Sequence, residues 1–383
     1  MSTLKVNKIE NTATTNGGVQ IDVDGHVTID GQQLPTVGPL SNRNMIINGA
    51  MQVAQRSANI DFSANAQYPA CDRWKTSIDL ASGVTNLNFL QDSDAPSGFA
   101  NSYKISPNQA ASGALSAADR IWIEHLIEGQ NLQHLAYGTA DAKTCILSFW
   151  LKSNLTGKVG IEIIIPGLQS YHASFTVNTA DTWEFKTITI NPNTTDTLVN
   201  TNAVGVSISW QFAAGPVFTG GSRTENSWKT VANNDERAPS DNINLYSSAS
   251  NYVSLTGVQL EVGSKSTPFE HRSYGEELAL CERYCQSFNG RIAIGNWNGG
   301  TGALVTRFLS PPMRTTPTMH SYTAGNCLVE AVNWYSVGSV AIQGESTNSS
   351  VTFQLSSITN SGQSFNANAT WGNGAAAVIQ AEL

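Results

Sequence analysis

The sequence predicts a mainly β protein of antiparallel sheets, and three observations carry that expectation. Charged residues make up only 13% of the 383 positions, hydrophobics 40%, and glycine alone fills 32. Low charge with many turn formers suits short strands joined by tight turns. Alternation is clean at Ile188-Thr189-Ile190 and at Val204-Gly205-Val206-Ser207-Ile208, giving each segment one apolar and one polar face. Such strands recur without βαβ spacing and without a 20–50-residue repeat, which favours sandwiches over solenoids and β-helices. The length allows two or three domains.

Residues 1–41 form a first unit. Val19, Ile21 and Val23 alternate with polar residues, Asp24-Gly25 turns the chain, and Val27 and Ile29 alternate again. Asp-Gly between alternating runs predicts a hairpin. A piece this short cannot cover both of its faces, so it is expected to stack on copies of itself or dock on a larger assembly. Pro35-Thr36-Val37-Gly38-Pro39 reads as a linker. Residues 42–274 carry strands at 122–127, 145–152, 160–165, 183–190, 204–212 and 253–262, a β-sandwich. Residues 275–289 read as one amphipathic helix, with Leu278, Cys281, Cys285 and Phe288 at heptad a/d spacing. Glu276 and Glu277 suit its first turn. The spacing leaves two readings open: a helix packed on its own chain, or a three-helix seam. Residues 290–383 return to short strands at 292–294, 304–308, 327–334, 340–343, 351–355 and 375–379.

Three segments resemble tailed-bacteriophage tail fibres and related receptor-binding proteins. YVSLTGVQLEVGSKSTPFEHRSYGEELALCERYCQSF (252–288) is similar to a junction where a sandwich closes, a short helix follows and a distal β-domain begins. NRNMIINGAMQVAQRS (42–57) with CDRW (71–74) resembles the opening of such a sandwich, and FLSPPMRTTPT (308–318) a Pro-rich strand beyond the helix. LSFWLKSN (147–154) resembles a central jelly-roll strand, and LKVNKI (4–9) the start of an attachment segment. The resemblance implies a homotrimer with a jelly-roll body, Leu278, Cys281, Cys285 and Phe288 at the trimer seam, and a C-terminal β-sandwich tip. It implies a virion protein made in the host cytoplasm. Residues 1–41 would dock on a tail or baseplate protein, and the tip would meet a host polysaccharide or outer-membrane component. The alternatives are a polysaccharide depolymerase with an inter-subunit site, and a purely structural tail or baseplate component.

The remaining chemistry is read from the residues. A net charge of −8 without a Lys/Arg cluster excludes a phosphate-neutralising surface, so no nucleic-acid partner is expected. No apolar run approaches the length of a membrane span, and no secretory signal opens the chain. Cys71, Cys145, Cys281, Cys285 and Cys327 are odd in number and loosely spaced, which suits packing better than disulfides. His26, His125, His134, His172, His271 and His320 are scattered, without H-E-x-x-H spacing. There is no G-x-S-x-G elbow. Glu124 and Glu128 share strand parity and read as solvent-facing carboxylates, not a glycosidase pair. No catalysis and no cofactor are expected. Asp22-Val23-Asp24-Gly25 lacks the later ligands of a calcium loop, and the sequence assigns no metal ligands, although jelly-roll modules often carry a structural calcium ion. Candidate receptor contacts are the turn-flanking Asn296, Trp297, Trp334, Tyr335 and Trp371 in the neutral last domain, where a pyranose could stack on an indole beside asparagine donors.

Overall fold

The computed structural model describes residues 8–10, 18–21, 27–29, 32–33, 41–57, 59–62, 68–79, 87–108, 115–230, 234–288, 290–297, 302–321, 327–330, 334–358, 366–371 and 377–383. The chain is mainly β and its sheets are antiparallel. Its N-terminal meander consists of β1 (Lys8–Glu10), β2 (Gly18–Ile21), β3 (Val27–Ile29) and β4 (Gln32–Gln33), paired in that order. Ile21 pairs with Val27, as an intervening hairpin requires. The Asp24-Gly25 turn itself, the Asp22 element and the 35–39 linker lie outside the described residues. Ile9 and Ile21 remain exposed.

Two compact units follow from the packing, one of Met1–Met51, Asn59–Tyr68 and Trp74–Arg272, the other of Gln52–Ala58, Pro69–Arg73 and Ser273–Leu383. The first contains a jelly-roll-like sandwich. Its strands begin with β5 (Asn59–Phe62), β6 (Trp74–Asp79), β7 (Leu87–Asp92), β8 (Ser102–Pro107), β9 (Arg120–Glu128) and β10 (Cys145–Ser153). They continue with β11 (Gly157–Ile164), β12 (Gln169–Val177), β13 (Glu184–Ile190), β14 (Val204–Ala214), β15 (Trp228–Thr230) and β16 (Val253–Val262). The front sheet has the order β13-β10-β16-β8-β7-β5, and the back sheet β15-β12-β11-β14-β9-β6. Alternation decides which side chains meet between them. Leu147, Phe149 and Leu151 from β10 and Ile208, Trp210 and Phe212 from β14 are all fully buried. Phe149 meets Trp210 edge-on at 5.7 Å between ring centroids, and Trp74 lies 5.6 Å from Trp210. Each such side chain contributes about 1.5–3 kcal/mol on burial.

The NRNMIING stretch explains itself in this frame. Strand β8 pairs with β16 only along Val253, Ser254 and Leu255. Beyond them, residues 44–49 bond to the freed edge: Met45 N donates to Leu260 O at 2.9 Å, and Val258 N to Gly49 O at 2.9 Å. Asn44 Nδ2 donates to Val258 O at 3.0 Å, while its Oδ1 accepts from Leu260 N at 3.1 Å. The edge of β16 is thus satisfied backbone group by backbone group.

In the second unit, α1 (Tyr274–Glu282) starts at a capping box, with Ser273 Oγ accepting from Glu276 N and Glu276 Oε2 accepting from Ser273 N. The helix stops at Arg283, which corrects the expected extent of 275–289. Cys285 and Phe288 lie instead on β17 (Cys285–Phe288), opposite Gln380 and Ala377 of β26 (Ala377–Gln380). Pairing with β26 and burial of Phe288 in the unit's core win over helix continuation, so the heptad spacing spans two kinds of structure. Cys281, Cys285 and Phe288 are buried within their own chain, and Leu278 is half-buried.

The unit's remaining strands are β18 (Gly290–Trp297), β19 (Ala303–Phe308), β20 (Thr318–Ser321), β21 (Cys327–Glu330), β22 (Trp334–Ser336), β23 (Ser339–Ile342), β24 (Ser350–Ser356) and β25 (Asn366–Trp371). They form a seven-stranded sheet, β22-β21-β25-β18-β19-β24-β23, and a three-stranded one, β17-β26-β20. Val305, Met313, Val351, Phe353, Leu355 and Ile379 fill the core. Gln52–Ala58 and Pro69–Arg73 belong here because they bring charge that the C-terminus neutralises. Glu382 accepts from Arg56 Nη2 at 2.7 Å and also from Arg73. Arg73 lies over the Tyr284 ring at 3.5 Å. Asp72 accepts from Gln55 Nε2 at 2.7 Å and pairs with Arg56 at 3.5 Å. Among the described residues no helix is long and apolar enough to cross a membrane.

Candidate functional site

The sequence-proposed contacts share one sheet but not one spot. Trp371 pairs with Gly290 at one end of the β18/β25 ladder, whereas Asn296 pairs with Asn366 at the other, next to Trp297. Trp334 stands opposite Glu330 on the outer strand β22. Asn296 is exposed. The side chains of Trp297, Trp334, Tyr335 and Trp371 lie outside what the structure describes.

A better-defined concavity lies in the other unit, on the outer face of the front sheet. Because Leu147, Phe149 and Leu151 point into the core, Ile146, Ser148, Trp150 and Lys152 of β10 point out. On β13 Ile188 and Ile190 point in, which leaves Phe185, Thr187 and Thr189 exposed outward. Trp150 and Phe185 are direct cross-strand partners, with ring centroids 5.3 Å apart and planes inclined at 51°. A groove of about 900 Å³ runs over them. Its far wall carries Phe99, Phe269 and His271, whose centroids are 5.0 Å (Phe99–Phe269), 5.2 Å (Phe99–His271) and 4.8 Å (Phe269–His271) apart.

Three local devices hold these rings. The first is a glycine bulge in β16. Ser148 pairs with Gln259 and Trp150 with Thr256, so Gly257 and Val258 together oppose Phe149. Gly257 has φ +61°, the left-handed conformation that a glycine bulge requires. The second is a polar anchor beneath the 264–271 loop. Buried Glu261 accepts from Thr267 N at 2.8 Å and Thr267 Oγ1 at 2.7 Å, and Gln259 Nε2 donates to it at 2.8 Å. Gln259 Oε1 in turn accepts from Glu270 N at 2.8 Å. The third holds the loop of Phe99: Thr256 Oγ1 donates to Asn101 O at 2.7 Å, and Ser102 Oγ to Asp94 O at 2.6 Å.

Chemically, the groove offers aromatic faces flanked by the hydroxyls of Ser148, Thr187, Thr189, Ser264 and Ser266. Among the described residues its titratable lining side chains are Lys265 and His271, and no carboxylate lines it. Asp94 stands near its rim, bonded to Lys152 Nζ at 2.9 Å and Trp183 Nε1 at 3.2 Å; the Lys152 bond chiefly holds its carboxyl below the usual range. Glu124 and Glu128, expected in solvent, are elsewhere and occupied. Glu124 pairs with Lys75 at 2.9 Å, and Glu128 is fully buried, accepting from Gln130 Nε2. The parity argument failed for Glu128 because both faces of β9 are covered at that end. Among the described residues no group of three or more His, Cys, Asp or Glu could hold a metal ion.

No family model matches the chain, and no curated protein does either. Solved structures with some likeness include TmCBM61 in complex with β-1,4-galactotriose, at 9% identity and a TM-score of 0.29, over 58% of this chain and 100% of that one. A family 11 carbohydrate-binding module from Clostridium thermocellum has 10% identity and a TM-score of 0.26, over 55% of this chain and 99% of its own. The enzymatically active domain of bacteriophage CBA120 tailspike protein 4 has 10% identity and a TM-score of 0.27, over 57% of this chain and 21% of its own. Likeness this low carries neither ligand nor role to this chain.

The groove was partly signalled in the sequence. In LSFWLKS the indole of Trp150 occupies a position where alternation calls for a polar side chain, and Phe185 does the same in EFKTITI. Phe99, Gly257, Phe269 and His271 converge only through the bulge and two loops, which leave no spacing signature.

Proposed function

We propose that this chain is a glycan-recognising attachment protein whose sandwich groove binds sugar rings without catalysis. The observation that carries this is the outward cluster of Trp150, Phe185, Phe99 and Phe269 among hydroxyls. The apolar C–H face of a pyranose stacks on such rings, while its hydroxyls bond the threonine and serine side chains. Cleavage of a glycosidic bond needs two carboxylates across the scissile bond, and the described residues of the lining supply none. The finer reading is a tail fibre of a tailed phage, supported by the resemblance of residues 42–74, 252–288 and 308–318. In that reading the chain acts in the virion as a homotrimer, held to the tail through residues 1–41. The exposed Ile9 and Ile21 of the meander support a partner there.

Calorimetric titration with surface polysaccharide of a susceptible host tests the first part. Trp150→Ala should weaken binding by about 1–3 kcal/mol, as expected for a hot-spot aromatic. Unchanged affinity in a folded Trp150→Ala, Phe185→Ala double variant would remove the groove from the account. Whether the purified protein blocks phage adsorption tests the second part, and no competition at saturating protein would contradict it.

A further inference from the structure

We infer that the groove contains two adjoining ring-binding subsites that meet over Gly257, so that its ligand is a chain of at least two linked sugar rings. This rests on the groove being a glycan site. One platform is the Trp150–Phe185 pair on β10 and β13. The other is the Phe99, Phe269 and His271 cluster, carried by two loops. The two come from different supports. Both line the same groove of about 900 Å³, which is roomier than one sugar ring needs.

Gly257 makes the platforms adjoin. A Cβ at this position would stand 2.7 Å from Phe99 Cζ and 3.0 Å from Trp150 Cδ1. A single missing methyl therefore lets one ring from each platform close over the same backbone atom. Gly257 itself places no side chain between them. The positive φ of +61° makes glycine the natural occupant as well, but the steric demand is separate from the backbone demand. Residues 44–49 fix the bulge from its far side, since Gly49 approaches Val258 O so closely that a Cβ there would stand at 2.2 Å. The saddle is therefore set by backbone packing and does not depend on ligand.

Two linked rings gain from this arrangement in a way one ring cannot. Once the first ring is seated, the second binds intramolecularly at a high effective concentration. Affinity should therefore rise steeply with chain length until both platforms are filled, then level. Gly257 becomes a specificity-determining residue for length through the space it leaves between the platforms.

The test uses a glycan array in which several neutral and several uronate-bearing backbones are each present at every length from one to six rings. For any backbone that binds wild-type protein, affinity should increase about tenfold or more between one ring and three, then level. In Gly257→Ala the hexasaccharide should lose that gain, because Phe99 and Trp150 are driven apart. Should Gly257→Ala not fold, Phe269→Ala, a half-buried loop position, should flatten the length dependence in the same direction. A backbone whose single ring binds as tightly as its hexamer would overturn the two-subsite inference and leave the glycan reading standing. Failure of every backbone at every length would overturn the glycan reading and this inference with it.

Discussion

The outer faces of the two sandwich sheets have opposite fates, and the contrast explains where the site is. The back sheet turns Arg120, Glu162, His172, Ser209 and Gln211 outward, yet all five are buried. A chain excursion between β14 and β16 covers them. Arg237 Nη1 reaches Glu162 Oε1 at 2.8 Å, and Arg120 Nη2 reaches Glu162 Oε2 at 3.3 Å. Arg223 fastens the excursion by donating to Ile161 O at 3.2 Å and Ala173 O at 2.6 Å. Pro239 lies against Gly160, where a Cβ would stand 2.7 Å from its Cδ. The front sheet turns Trp150 and Phe185 outward and leaves Phe185 45% exposed. Charge is covered and aromatic surface is open, the reverse of the usual arrangement. A covered polar face is a structural clasp, whereas an open aromatic face wants a ligand.

The largest expected effect breaks the clasp. Glu162→Ala should destabilise the sandwich by about 3–5 kcal/mol in denaturant unfolding, because it leaves the buried Arg120 guanidinium without its carboxylate. Trp150→Ala should do the converse, costing binding while shifting the unfolding midpoint far less. If Glu162→Ala unfolded no more easily than Trp150→Ala, the distinction between the faces would fail. Next in size is Thr267→Val, which removes the hydroxyl from buried Glu261 and should cost about 1–3 kcal/mol of stability. It should also weaken glycan binding by loosening the loop of Phe269, and normal affinity would show that this wall is rigid without its anchor.

Acid titration sharpens the comparison and extends it to the C-terminal unit. Burial pushes the Glu162 carboxyl up, but His172, Arg237 and Arg120 outweigh it and hold the group below its ordinary 4.5. Its contribution is therefore fully present above that value and is lost as pH falls through the lower folded value. Asp72 has the opposite sign: burial raises it from 3.8 to about 6 against the pull of Arg56 and Gln55. Its contribution is present below 3.8 and is lost as pH rises through about 6. Between about pH 4.5 and 6 the C-terminal unit should gain stability on acidification while the clasp is unchanged. Denaturant unfolding of wild type and Asp72→Asn at both ends of that window should show the gain in the first and not in the second.

Most of the strand framework was legible because alternation and turn residues are local. The predicted strand at 145–152 appears as Cys145–Ser153 and that at 253–262 as Val253–Val262. The helix start was legible too, since Glu276 and Glu277 suit a first turn, and the start at Tyr274 lies one residue from the expected 275. Its end was not. Cys285 and Phe288 keep helical spacing, but their partner strand lies at the far end of the chain, in Ala377–Gln380. The site was half legible for the same reason. Trp150 and Phe185 violate a local alternation, whereas Phe99, Gly257 and Phe269 meet through long-range packing around a bulge. Glu162 could not be recognised as buried, because Arg237, which reaches over it, is 75 residues away in sequence.

The most direct measurement sets the groove against the C-terminal candidates in one assay. A polysaccharide that binds the wild type is titrated calorimetrically into wild type, Trp150→Ala, Trp297→Ala, Trp334→Ala and Trp371→Ala, each checked for folding by circular dichroism. Recognition by the sandwich predicts a loss of about 1–3 kcal/mol in Trp150→Ala alone. Normal binding by Trp150→Ala, with loss in one of the other three variants, would contradict it and move recognition to the C-terminal unit.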